Sequence, residues 1–245
     1  AWFHLGRTLT TCGNHRTLVS WSGTMFEYTM PLLFMKNHDN TLLGASVRQA
    51  VQIQQTYGQE RGVPWGLSEA AYSARDESNG RRYQAFGIPG LALKRMHTSD
   101  LVIAPYATQL ALTIDPTGAV KNLRSMAAKG WLGRFGFYES IDCRSHESDR
   151  TNQPVVVPVF MAHHQGMSAV ALDNALFDNA MQRRFHAEPI VVSTELLLQE
   201  RLPGVIPERA GVLPFEIPTA PHLQLTARPE REIAPASATM VLRAS

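Results

Sequence analysis

The sequence predicts an all-α protein in which helix pairs ring a central pocket, an α/α toroid, followed by a proline-rich C-terminal tail. Three observations predict it. Apolar residues recur at helical spacing in separate segments, as at Met25, Tyr28, Leu32 and Met35, three or four residues apart so that they share one helix face. Start and stop signals bound such segments: Asp115-Pro116 joins an N-cap acid to a proline at the first helical position, and Gly130 stands at the expected end. The residues suited to chemistry fall on the connections between helices, where paired helices would present them to a shared pocket. Fewer helices are countable than six pairs need, so the ring is expected to be incomplete in this chain.

In order, residues 1–20 read as a loop and Trp21–Met35 as a helix kinked or started by Pro31. Gly44–Arg61 is a second helix, with Val47 and Val51 paired on one face and Ile53 and Tyr57 on another; Gly62 can end it. Pro64–Arg75 reads as a loop leading into a short helix. Ser68 serves as its N-cap and Glu69 sits at the positive end of the helix dipole. The two glycines and the proline of Phe86-Gly87-Ile88-Pro89-Gly90 disfavour a regular helix within Tyr83–Arg95. Val102–Ile114 is apolar enough to be buried, with a helix from Pro105. The helix after Asp115 carries Val120, Leu123 and Ala127 inward. Phe135–Asp142 and Val155–Val159 read as extended, with a polar loop at 144–153 between them. Helices follow at Phe160–Phe177, Asn179–Ala187 and Pro189–Leu202. Beyond Leu202 seven prolines replace the periodicity. The chain therefore divides into a helical domain, 1–202, and a linker or surface-hugging tail, 203–245.

Composition narrows the function. With 245 residues, 44% hydrophobic and 18% charged, the chain suits one folded domain or two small ones. A formal net charge of +2, with basic residues dispersed, argues against nucleic acid as partner. Two cysteines, Cys12 and Cys143, lack metal-ligand spacing and fit a reducing compartment. No apolar run approaches the ~20 residues of a membrane span. The start Ala1-Trp2-Phe3-His4 reads as the middle of a larger protein.

Seven motifs stand out along the chain, three of which combine glycine, an aromatic and a carboxylate at Glu27, Glu69 and Glu139. In chain order the seven begin with Trp21-Ser22-Gly23-Thr24-Met25-Phe26-Glu27-Tyr28, Pro64-Trp65-Gly66-Leu67-Ser68-Glu69 and Tyr83-Gln84-Ala85-Phe86-Gly87-Ile88-Pro89-Gly90-Leu91. Then come Ile103-Ala104-Pro105-Tyr106-Ala107-Thr108, Gly136-Phe137-Tyr138-Glu139, Phe160-Met161-Ala162-His163-His164-Gln165-Gly166-Met167-Ser168 and Met181-Gln182-Arg183-Arg184-Phe185-His186. In this order they resemble the glycoamylase-like, or cyclization, domain of bacterial cyclic β-1,2-glucan synthases. That resemblance implies an (α/α)6 barrel acting on β-1,2-glucan, with transglycosylation closing linear chains into rings. Looser relatives cut the same polymer internally, and a module that only holds glucan is the non-enzymatic alternative. It also implies neighbouring glucosyltransferase and phosphorylase-like regions in the same polypeptide, at the cytoplasmic face of the bacterial inner membrane.

Glycosyl transfer needs two carboxyl groups flanking the bond, one protonating the leaving oxygen and one attacking the sugar or activating water. Glu69 and Glu139, each beside aromatics at a loop or strand end, are the expected catalytic pair. Glu27 is either a substrate contact or a helix carboxylate paired with an arginine; Asp142 reads as a turn or cap residue before it reads as a substrate ligand. Trp65, Tyr72, Phe137 and Tyr138 are expected to stack on glucose rings, with Tyr28 and Arg75 in the same motifs as further contacts. His163, His164 and Gln165 are expected to split between sugar contact and support of the fold. Adjacent histidines diverge by about 100° on a helix and no third ligand is suitably spaced, so no metal or other cofactor is expected.

Overall fold

The computed structural model describes residues 8–12, 15–75, 80–94, 100–144 and 153–201. The expectations for residues 1–7, for most of the 144–153 loop and for the tail from 203 lie outside the described residues.

The all-α expectation is overturned: strands alternate with the helices, and the described residues do not form the expected toroid of helix pairs. The chain opens on a hairpin, β1 (Leu9–Cys12) against β2 (His15–Leu18), where a loop was expected. A short α1 (Met25–Thr29) follows and tightens into a 3-10 turn at Met30–Leu33, with Pro31 at its start. Glu27 closes a capping box with Thr24, so its carboxylate serves the helix start, and among the described residues no arginine forms an ion pair with it. The long α2 (Leu42–Glu60) is capped by Thr41 and buries Val47, Val51 and Ile53, as its periodicity predicts.

The stretch after Ser68 is a strand. β3 (Ala70–Arg75) pairs antiparallel with β4 (Arg81–Gln84). The reason is tertiary. The Ser68 hydroxyl, expected to cap its own helix, instead accepts from the Phe26 amide at 3.0 Å and from the Tyr106 hydroxyl at 2.9 Å. The β3 amides of Ala71 and Ser73 donate to Glu139 and Asp142, at 3.2 and 3.3 Å. Long-range partners thus outbid the helical propensity of Ala70-Ala71.

β5 (Val102–Ile103) precedes α3 (Pro105–Leu110) and α4 (Pro116–Ala128), the last capped by Asp115. On α4 the buried side chains are Ala119, Asn122 and Met126, whereas Val120 is 39% exposed, against expectation. Asn122 explains the phase: it bonds the Trp65 backbone and the Thr108 hydroxyl, fixing that face inward. A tight hairpin, β6 (Leu132–Gly133) with β7 (Gly136–Phe137), leads to β8 (Ser140–Asp142). β8 is the middle strand between β5 and β9 (Val155–Val157), so both stretches read as extended are strands. The helices α5 (Ala162–Leu176), α6 (Ala180–Phe185) and α7 (Pro189–Thr194) end the described chain.

One core joins these pieces, with Met25, Leu67, Tyr72, Ile103, Leu110 and Ile141 each almost inaccessible. Gly87 lets two loops touch. A Cβ there would overlap the backbone of Gly23, whose carbonyl accepts from the Ile88 amide at 2.9 Å. Gly23 itself has φ +65°, the left-handed region glycine tolerates. This contact anchors the α1 loop beside the β4 segment, and so beside Glu69.

Candidate functional site

Four elements converge on Glu69. It ends the loop entering β3, and β4 places Tyr83 opposite Ala71 in register. The residue before β8 is Glu139, whose amide donates to the Val159 carbonyl at 3.0 Å. The first turn of α5 supplies His163 and His164, and α3 supplies Tyr106.

Their side chains form a continuous file. The Tyr83 hydroxyl lies 3.4 Å from Glu69 Oε2 and 3.3 Å from His164 Nε2. His164 Nδ1 lies 2.9 Å from Glu139 Oε2, and Glu139 Oε1 accepts from the Ala71 amide at 3.2 Å. Tyr106 stacks flat on the His164 ring, centroids 3.7 Å apart and planes 12° apart. Its hydroxyl donates to Ser68 Oγ and to the Glu69 carbonyl, fixing the backbone from which Glu69 projects.

The two expected catalytic carboxylates therefore differ. The Glu139 side chain has no exposed surface, and both oxygens are bonded. Glu69 is half-buried and faces Tyr83. Burial, and then the Glu27 charge, push the Glu69 carboxyl above its ordinary range; the Tyr83 hydrogen bond and His164 pull weakly the other way. Glu69 and Glu139 are brought into one network, but only Glu69 is presented outward.

The remaining expected residues sort by burial. Tyr28 is buried, and its hydroxyl donates to the Leu18 carbonyl at 2.7 Å. Burial pushes that phenol up to about 12. Tyr72 is a core residue with the Arg144 guanidinium 4.8 Å over its ring. Trp65 is 7% exposed; its carbonyl accepts from Thr108 and Asn122, and its ring is packed in the core. Tyr72 thus offers almost no surface to a sugar, and the little surface Trp65 exposes lies in an open groove beside α2 and α4. Asp142 is wholly buried between Arg144 at 2.6 Å and Ser73 Oγ at 2.6 Å. Burial works against its ionisation, but the hydrogen bonds from Arg144 and Ser73 outweigh it and hold the carboxyl below the usual range. Arg75 lies at the exposed end of β3, in register with Arg81. Glu27 accepts from Ser20, Ser22 and Thr24 while its charge acts on Glu69.

Tyr138, next to Glu139 in sequence, belongs to an aromatic cluster. Tyr138 packs on Phe160, centroids 5.5 Å apart, and Phe160 meets Phe135 edge-on at 6.0 Å. Phe137 is half-buried, its carbonyl accepting from Gln165 at 3.4 Å. His163 is exposed, edge-on to Tyr83, whereas His164 is buried. Tyr83, Tyr106, Phe135 and Phe160 were not singled out by sequence, although three of them stand inside the quoted motifs. Their place in motifs of the same resemblance was the available signal. Among the described residues, no group of three or more His, Cys, Asp and Glu side chains could hold a metal ion, and no helix is long and apolar enough to cross a membrane.

Comparison with known proteins adds the family. The glycoamylase family, described as "Putative glucoamylase", matches residues 1–189. The chain is 41% identical over 210 residues, 86% of its length, to the cyclic beta-(1,2)-glucan synthase NdvB of Rhizobium meliloti (strain 1021). It spans only 7% of that protein. Among solved structures, the endo-beta-1,2-glucanase of Chitinophaga pinensis, bound to sophorotriose and glucose, matches 79% of this chain and 46% of its own, with TM-score 0.58 and 16% identity. The beta-1,2-glucanase of Parabacteroides distasonis matches 77% and 26%, with TM-score 0.55 and 19% identity. At such identities these two likenesses concern the fold alone.

Proposed function

The chain belongs to the glycoamylase family, and from that premise we propose that it is a glycoside hydrolase-like domain acting on β-1,2-glucan, with Glu69 as the carboxyl group that meets the glycosidic bond. One observation carries this: Glu69 is the outward-facing end of a hydrogen-bonded file whose inner members, His164 and Glu139, are buried, and its surroundings push its carboxyl above the ordinary range. A carboxylic acid kept neutral near its working pH can protonate a leaving oxygen. Glu139 holds His164 and acts through it. The cluster of Tyr138, Phe160 and Phe135 offers apolar ring faces for the sugar, with Phe137, His163 and Gln165 alongside.

The relatives, a cyclic β-1,2-glucan synthase and two β-1,2-glucanases, support β-1,2-glucan as the substrate. The 41% identity to the synthase favours transglycosylation that closes rings; the glucanases' likeness favours hydrolysis as the second reading. In the first case the domain works beside glucosyltransferase and phosphorylase-like regions of one longer polypeptide, at the cytoplasmic face of the inner membrane. Incubating the chain with linear β-1,2-glucan separates the readings by product. Transfer yields cyclic glucan without new reducing ends, and hydrolysis yields new reducing ends. A polymer that binds but keeps its size distribution overturns both.

A further inference from the structure

Several features outside the Glu69 carboxyl invite a role. An open groove of about 600 Å³ runs along α2 and α4, lined by Gln55, Gln59, Asp115 and Lys121, but none of the Glu69 network reaches it. An ionic cluster joins Glu195 to Lys36, His38 and His186 and ties the last helical turns to the body. The file behind Glu69 carries more, because its contacts are directional and chemically matched and its inner members, His164 and Glu139, are buried.

We propose that Tyr83 and His164 form a switchable hydrogen-bond relay that positions Glu69 for successive turnovers, with Glu139 fixing the ring that anchors it; this rests on the catalytic role proposed for Glu69. A carboxylate only accepts, so the 2.9 Å contact assigns the Nδ1 hydrogen of His164 to the bond with Glu139. In the neutral ring, Nε2 is then an acceptor aimed at Tyr83, 3.3 Å away. Tyr83 has one hydroxyl hydrogen and two acceptors, His164 Nε2 and Glu69 Oε2. While Glu69 is protonated, the Tyr83 hydroxyl donates to Nε2 and its oxygen accepts from the Glu69 acid. When Glu69 turns its proton to the leaving oxygen, its O–H bond breaks with the electron pair staying on the carboxylate. The glycosidic C–O bond breaks with its pair going to the protonated oxygen, and the anomeric carbon bonds to the acceptor oxygen, a hydroxyl of the glucan chain in transfer or a water in hydrolysis. Tyr83 meanwhile turns its own hydrogen to the new carboxylate, and the proton lost by the acceptor restores the Glu69 acid and returns the Tyr83 hydrogen to Nε2.

Every partner has a reason to stay in place. Tyr106 stacks on His164 and holds the Ser68–Glu69 backbone, so ring and acid share one support. Among the described residues, the charged and titratable groups facing Glu69 are Glu27 from α1, Tyr83 from β4, Tyr106 from α3 and His164 from α5, with Glu139 and His163 behind them. Because a Tyr83 hydrogen bond favours ionised Glu69, its loss moves the Glu69 titration upward.

Tyr83→Phe tests the relay, because Tyr83 is 40% exposed and its ring is kept. On linear β-1,2-glucan, kcat is expected to fall about tenfold with KM little changed, and the basic limb of the pH profile to move to higher pH. An unmoved limb together with unchanged kcat overturns the relay. A second readout needs no activity. In 15N-histidine-labelled chain, His164 is expected as the Nδ1–H tautomer, and its Nε2 resonance is expected to shift when Glu69 titrates, a response lost in Tyr83→Phe. A wild-type chain without that response overturns the relay even if it cleaves glucan. A chain that shows the response but leaves β-1,2-glucan untouched keeps the relay and overturns the proposed function.

Discussion

Strand β3 meets buried carboxylates at two positions, Ala71 and Ser73, and the two ends of that stretch are built for different purposes. At the Ser73 end, Asp142 is wholly inaccessible, bonded by Ser73, and ion-paired with Arg144. Its charge is compensated, and its carboxyl is held below the usual range. At the Ala71 end, Glu139 is just as buried but meets a histidine, and the file runs outward through Tyr83 to Glu69. There, among the described residues, no arginine is ion-paired with the outer acid; burial and the Glu27 charge push it the other way. The difference teaches that an arginine partner fixes a carboxylate, whereas desolvation beside a like charge leaves one poised to give up a proton.

The comparison can be broken at either end. Glu69→Gln removes the acid while keeping its shape, and activity is expected to fall by roughly 10²–10⁴ with the thermal midpoint nearly unchanged, a general acid's usual contribution. Asp142→Asn leaves Arg144 beside a neutral partner and is expected to cost about 3–5 kcal/mol of stability, read by denaturant unfolding. Activity per folded molecule should stay near wild type. The sign of its pH dependence follows from the lowered carboxyl: the Asp142 contribution is present above the unfolded-state pKa and is lost as pH falls through the folded value. The Asn variant should therefore lose less stability on acidification than wild type.

Trp65→Phe sharpens the correction for a residue expected to hold sugar. Because the indole is a core residue, the change should lower stability by about 1–2 kcal/mol and leave KM alone; a raised KM with unchanged stability would restore the platform role. The smallest effect expected is that of Glu27→Gln. Gln keeps the capping box but removes the charge that raises the Glu69 carboxyl, so the basic limb should move to lower pH.

Much of this site could be read from residues alone, and the reasons for the misses are specific. The motifs ending in Glu69 and Glu139, and the pair His163-His164, were recognisable by residue type, and the structure links Glu69, His164 and Glu139 through Tyr83. Helices with local signals, such as α2 with its periodicity and α4 with Asp115-Pro116, lie close to their expected bounds. The all-α expectation failed where structure depends on distant partners. Ala70-Ala71 favours a helix locally, and only Glu139, Asp142 and β4 make it a strand. Trp65 and Tyr72 look alike as core residues or sugar platforms in sequence, because ring chemistry is the same and only packing decides. Tyr83 was overlooked because its role is to join partners 14 and 81 residues away.

The central claim is that this chain alters β-1,2-glucan through Glu69. The most direct measurement is the size distribution of linear β-1,2-glucan after incubation with wild type and with folded Glu69→Gln, side by side. The account predicts a changed distribution, as rings or as shorter chains, with wild type alone. An unchanged polymer with wild type, or an equal change with both proteins, would contradict it.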